Sequence, residues 1–212
     1  MKTLLAGILM LVVAVNAKKP CQVPKRSVGD YITSVYNINT DKLVMASGGK
    51  MYYDENNKRI RVEGEHEGKK YTVLIFYKEA KQYVMGKGYC YAMPSKGDFK
   101  DMSIPDNAHL VNGGRIGTAS NGLYINRYTG EKDGGRGIVT VTQKDCVISS
   151  SVALTKHEGA NYLTYFSMTN VSLDFEENAF DKPDECHSLP GAKARRSVGG
   201  IWENIQGVID SI

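Results

Sequence analysis

The chain has 212 residues, 42% of them hydrophobic and 24% charged, with a formal net charge of +4. That length suits one domain or one domain plus a tail, and it is enough to bury a core. The 27 basic and 23 acidic side chains are interleaved, so the charge balance argues against nucleic acid as a partner.

In chain order, Lys2 is followed by an uncharged apolar run from Leu4 to Val15 and by small residues ending at Ala17. That pattern predicts a secretory signal peptide over 1–17. The run is shorter than the ~20 residues that span a bilayer, and no later stretch is apolar enough to do so. The four cysteines, Cys21, Cys90, Cys146 and Cys186, all lie beyond the leader. In an oxidising compartment they predict two disulfides, with three connectivities open.

Short runs rich in Tyr, Val, Ile and Thr, separated by turn residues, then give an all-β rhythm. Met51-Tyr52-Tyr53 leads into the turn-like Asp54-Glu55-Asn56-Asn57. Arg59-Ile60-Arg61-Val62-Glu63 alternates as a half-buried strand does. Tyr71 to Tyr77 is apolar at nearly every position, which predicts a strand covered on both faces. A turn at Lys78 to Lys81 precedes a strand from Gln82 to Met85. Asp98 to Gly114 reads as a long irregular connection with a short helix. Leu123 to Tyr128 returns to strand and Thr129-Gly130 turns. Gly137 to Thr142, Cys146 to Leu154 and Asn161 to Ser172 are further strands. Gly191 to Gly200 reads as a linker. Beyond it Ile201, Trp202, Ile205, Val208, Ile209 and Ile212 recur at helical spacing, with Glu203, Gln206 and Asp210 opposite. This predicts a short amphipathic helix, either packed back on the domain or serving as a membrane-surface or self-association helix. The expected organisation is a leader over 1–17, a β domain over 18–188 and a tail over 189–212.

Sequence motifs of catalysis are missing. His66, His109, His157 and His187 form no HExxH or HxH pattern and are expected on exposed loops. No GxSxG elbow, phosphate loop or dinucleotide fingerprint occurs. The expectation is a protein that is not an enzyme and requires no cofactor. Asp174, Glu176, Glu177 and Asp181 lie in an acidic stretch whose oxygens suit Ca²⁺ in type but not in EF-hand spacing. The other reading of that stretch is a solvated loop. Asn170-Val171-Ser172 is an N-glycosylation sequon. Lys193-Ala194-Arg195-Arg196 has the basic pattern that proprotein convertases cut, which would free residues 197–212.

Six segments, in order and spacing, resemble the ependymin-related proteins, a secreted family of animals. They are Cys21-Gln22-Val23-Pro24; Tyr53-Asp54 with Lys58-Arg59-Ile60-Arg61; and Phe76-Tyr77 through Tyr83 to Cys90. Ile104-Pro105 with Ala108, Ile116-Gly117 and Gly122 to Tyr128 make the fourth; Thr142 to Cys146, and Phe180 with Pro183 and Cys186, complete the set. Tyr128 stands where many members have tryptophan, the vertebrate lysosomal members' extra cysteine pair is absent, and the tail from Ser188 finds no match. The resemblance implies two stacked, curved antiparallel sheets forming a half-open barrel like bacterial lipoprotein carriers, around a deep apolar pocket. It also implies Cys21–Cys146 and Cys90–Cys186 pairing, homodimers, Ca²⁺ binding and a link to cell–matrix adhesion.

These readings lead to a secreted, non-catalytic binder of hydrophobic or amphiphilic small molecules. An acyl chain would be buried at about 0.8 kcal/mol per CH₂. Tyr71, Val73, Ile75, Val84, Leu123, Ile125, Val139, Val141, Tyr162 and Phe166 are the candidate lining residues, although only one face of each strand can point inward. The alternative is an extracellular adhesion or signalling glycoprotein with calcium and glycan at its surface.

Overall fold

The computed structural model describes residues 19–188 apart from 67, 96, 133 and 158. The expected leader, linker, Arg196 and amphipathic helix lie outside the described residues. Among the described residues twelve strands run along the chain: β1 (Arg26–Asn37), β2 (Lys42–Asp54), β3 (Arg59–His66), β4 (Lys69–Phe76), β5 (Lys81–Gly86) and β6 (Tyr89–Pro94). Then follow β7 (His109–Ile116), β8 (Leu123–Lys132), β9 (Gly135–Thr142), β10 (Ile148–His157), β11 (Ala160–Ser172) and β12 (His187–Ser188). Two 3₁₀ turns, Tyr77–Glu79 and Glu177–Phe180, complete the described elements.

The fold is mostly β, as its composition predicts. Hydrogen bonding is continuous across the order β12-β6-β5-β4-β3-β2-β1-β11-β10-β9-β8-β7. The strands therefore form one open sheet rather than two separately bonded ones, with β12 and β7 at its edges. Consecutive strands from β1 to β6 and from β7 to β11 form antiparallel hairpins, and a long-range antiparallel pairing joins β1 to β11. β12 adds to β6 in parallel.

The register defines two faces. Ser27, Gly29, Tyr31 and Thr33 of β1 point to the inner face, and the residues between them point to the outer face. Cross-strand pairing carries the inner face onward through Met51, Val62, Val73 and Val84. On the other side of β1 it continues through Phe166, Ser151, Val139 and Tyr128. Met51, Val62, Val73 and Val84 are fully buried, and each aliphatic side chain so removed from water contributes about 1.5–3 kcal/mol. The N-terminal segment with Val23 and the β6–β7 connection with Phe99, Met102 and Ile104 lie over this face. Tyr53 stacks on Phe99 at 5.6 Å, and its hydroxyl accepts the Met102 backbone N–H at 3.0 Å.

The outer face of β2–β6 is covered by the segment after β11, here called the strap (residues 173–186). Phe175 and Phe180 pack against Tyr52, Leu74, Phe76 and Tyr83. β4 is thus covered on both faces, Val73 and Ile75 on one and Leu74 and Phe76 on the other, which explains its unbroken apolar run. Cys90–Cys186 ties the strap to β6, and Cys21–Cys146 ties the N-terminal segment to the β9–β10 turn.

Several elements differ from the sequence reading. The β6–β7 connection ends at Ala108, and His109 to Gly114 belong to a strand rather than to the loop. Thr129-Gly130 does not turn: β8 runs through it to Lys132. A Cβ at Gly130 would lie 3.0 Å from the Ala108 Cβ, so this glycine admits the neighbouring connection rather than a bend. His66, His109, His157 and His187 sit at the ends of strands, not within loops. The turn over Lys78 to Lys81 is a 3₁₀ turn closed by Ala80 in the left-handed conformation, φ 49°.

Candidate functional site

Eight of the ten candidate lining residues share the inner face, by register. Tyr71, Val73, Ile75, Val84 and Phe166 lie in one buried cluster. Val139 and Val141 lie in the adjoining one, and Tyr162 is half-buried on the same face of β11. Leu123 and Ile125 fall on the opposite face of β8, since they alternate with Tyr128; Leu123 is exposed and Ile125 buried. The strand period brings the eight together, and a residue count alone does not say which face is which.

Across β1 to β6 the inner face is built in rows. The first row reads Tyr31, Gly49, Gly64, Tyr71, Gly86 and Tyr89. Glycine here is a matter of space. A Cβ on Gly64 would meet the Tyr71 hydroxyl at 2.5 Å, and one on Gly86 would meet the Tyr89 ring at 2.3 Å. The hydroxyl end of each ring occupies the space beside the glycine of the neighbouring strand. The next row, Gly29, Met51, Val62, Val73, Val84 and Tyr91, is aliphatic at its centre. The third, with Tyr53, Ile60, Ile75 and Met93, lies under Phe99 and Met102.

The tyrosine row brings a line of hydroxyls to this apolar face. Ser47 Oγ lies 3.0 Å from Tyr31 Oη and 3.3 Å from Tyr71 Oη, so three hydroxyls form a line. Burial pushes the Tyr31 phenol well above its ordinary range, and the neighbouring Tyr71 adds to the shift. Tyr89 stacks on Tyr91 at 5.6 Å. Its Oη is buried and has no hydrogen-bond partner among the described residues, and burial, with Tyr91 and Tyr71 nearby, raises its pKa. A cavity on this face, between Val23, Met102, Ile148 and Met168, holds about 10 Å³, close to the least that one water needs. The inner face is a filled core at the end covered by Phe99 and Met102. It is half-buried at Tyr89, Tyr91 and Tyr162.

A larger cleft, about 490 Å³, opens on the outer face between strap and sheet. Val28, Lys50, Tyr52 and Arg61 line one wall, and Phe175, Glu176, Asn178 and Ala179 the other. Three arginines hold the strap. Arg26 stacks over Phe175 at 4.5 Å and Arg59 over Phe180 at 4.3 Å. Arg61 donates to the Ala179 carbonyl at 2.6 Å. Arg59 also bridges buried Asp54, at 2.8 Å, to Glu177. Arg59 and Arg61 are the polar positions of the alternating segment 59–63, and they lie under the strap. The acidic run at 174–185 was the complementary signal.

The calcium candidates do not converge. Glu177 takes Arg26 and Arg59, and Glu176 accepts from Asn178. Among the described residues, no three His, Cys, Asp or Glu side chains gather as a metal site. Asn170 is exposed, and its Nδ2 donates to Asp30 at 2.7 Å. Among the described residues no helix is long and apolar enough to cross a membrane.

The ependymin family model matches residues 65–186, more than half of the chain. The chain is a member of the ependymin family. Among curated proteins no match is found. Solved structures overlap it loosely. An uncharacterized conserved protein from Thermus thermophilus is 12% identical, over 76% of this chain and 90% of its own, with a TM-score of 0.39. MucB is 14% identical over 77% of this chain and 59% of its own, at 0.37. PNGF-II is 9% identical over 84% and 34%, at 0.36. The ependymin match begins in β3 and ends at Cys186, so it takes in the tyrosine row from Tyr71 onward and the whole strap. β1 and β2 lie before it.

Proposed function

We propose that this ependymin-family protein is a secreted, non-catalytic binder of hydrophobic or amphiphilic molecules, held at the tyrosine end of the inner face. The observation that carries the reading is Tyr89. Its ring is part of an apolar, half-buried surface, and its hydroxyl is buried without a partner among the described residues. An unsatisfied buried hydroxyl costs about 1–3 kcal/mol, and a ligand carbonyl or carboxylate placed beside it removes that cost. The Tyr31–Ser47–Tyr71 hydroxyls extend the same polar line. The apolar tail would lie over the tyrosine rings and the aliphatic row behind them. The interior is closed without a ligand, so an acyl chain enters by displacing side chains. Phe99 and Met102 are the suited ones, because an irregular connection carries them rather than a paired strand.

Tyr89→Phe gives the test a double sign. Removing the orphaned hydroxyl leaves the apo protein as stable or up to about 1 kcal/mol more stable. The same change weakens binding of a fluorescent fatty acid severalfold. Unchanged binding, or native mass spectrometry of the secreted protein showing no co-purified lipid and no uptake of added oleate, overturns the reading.

A glycan at Asn170 is a second proposal, favoured by the exposure of that side chain at the surface of β11. Peptide N-glycosidase treatment of the secreted protein should lower its mass by one glycan, and Asn170→Gln should abolish the shift.

A further inference from the structure

The strap covers only the start of β1 and the β2–β6 part of the outer face. Beyond it two cross-strand rows are left open: Tyr36, Leu163 and Leu154, and beside them Tyr165, Val152 and Ile138. All six are exposed, between 37% and 47%. Contiguous apolar surface of this kind on one face of a sheet marks an interaction site. The next position outward in the Leu154 row is Arg136, and Lys156 follows Leu154 on the same face of β10; both are exposed.

We propose that residues 201–212 of this same chain are the cover: an amphipathic helix laid across β1, β11, β10 and β9 on Ile201, Trp202, Ile205, Val208, Ile209 and Ile212. Two observations select this occupant. The first is length. Twelve helical residues extend about 18 Å, and the two rows cross three strand spacings, about 14 Å. The second is reach. The described chain ends at Ser188 in β12, seven strand spacings from β11, or about 34 Å over a flat sheet. The twelve residues 189–200 extend to about 40 Å. The inference does not rest on the ligand reading, which concerns the opposite face. It gives the basic site at Arg195-Arg196 a consequence: a cut there frees the cover and bares the face.

The chain holds a single tryptophan, Trp202, so its fluorescence reports on the cover alone. In the mature protein its emission should be blue-shifted relative to the free peptide 197–212 and shielded from acrylamide, unchanged across a wide dilution series. The double variant Val152→Lys with Leu163→Lys should return emission and quenching to those of the peptide. Both positions are already exposed, so circular dichroism should show the β domain intact. A chain ending at Arg196 should bind an apolar-surface dye severalfold more strongly, and added peptide 197–212 should reverse this. Peptide-like emission in the intact protein overturns the proposal. So does a blue shift indifferent to the double variant, or one lost on dilution, which would make a second copy the occupant.

Discussion

Asp54 is the residue on which the outer-face network turns. Its side chain is fully buried, and a lone buried carboxylate would be expelled. Here it accepts from the Asn57 backbone and side chain and from Arg59. Burial alone would raise its pKa; the Asn57 and Arg59 hydrogen bonds outweigh it and hold the carboxyl below the ordinary range. Glu177 is lowered first by its hydrogen bond from Arg59. Both groups are depressed in the folded state, so their contribution is complete above the unfolded carboxylate range of about 4. It is lost as pH falls through the folded values. Thermal melts should therefore be flat from neutral pH down to about 5 and fall below about 4. Asp54→Asn, which leaves Arg59 without its buried partner, should cost about 3 kcal/mol at pH 7 and flatten the acid limb. A wild-type acid profile in the variant would place the titration elsewhere.

Among the elements, what could be read from sequence depended on whether a strand shows different chemistry to its two faces. β4 was legible because both faces are apolar and both are covered. β1 was not. Its inner positions are Ser27, Gly29, Tyr31, Thr33 and Val35, and its outer ones include Val28, Ile32 and Tyr36, so neither face stands out. The fully buried Thr33 is tolerable only because its hydroxyl donates to the Tyr165 carbonyl at 3.0 Å, a partner 132 positions away. β7 is an edge strand, exposed along most of its length, and edge strands lack the apolar alternation that marks a half-buried one. The tyrosine row escaped for a similar reason: its register across six strands exists only after folding. The turn read at Thr129-Gly130 failed in the same way, and it leaves a test. Gly130→Val should cost about 1–3 kcal/mol in a urea melt, through overpacking against Ala108, and Ala108→Gly should recover much of that loss. Gly134, at φ 76° in the actual turn, should show no such rescue when changed to alanine, because its cost is backbone strain.

At the scale of the whole molecule, a single open sheet must protect two edges, two faces and the chain between them. The β12 edge is shielded by being two residues long and pinned by Cys90–Cys186. The inner face is filled by the N-terminal segment and the β6–β7 connection, and half of the outer face by the strap. The two disulfides close intervals of 125 and 96 residues and fasten covering segments, not neighbouring strands, which is where loop-closure entropy makes a cross-link most effective. The family was legible in the sequence because these fastenings sit in recognisable segments; the sheet order was not, since the β1–β11 closure joins residues that no local pattern connects. The remaining edge, β7, has no such protection among the described residues. It is eight residues long, pairs only with β8, and exposes Leu110, Val111 and Ile116. Long apolar edges are templates for strand addition between molecules, and an inserted lysine is the usual remedy. Val111→Lys should therefore slow aggregation near the melting temperature, followed by light scattering. Its stability should stay within about 0.5 kcal/mol of the parent, since the side chain is already exposed. Equal aggregation rates in the two proteins would move the weak point from this edge to the open outer face, where Val152→Lys would be the effective change.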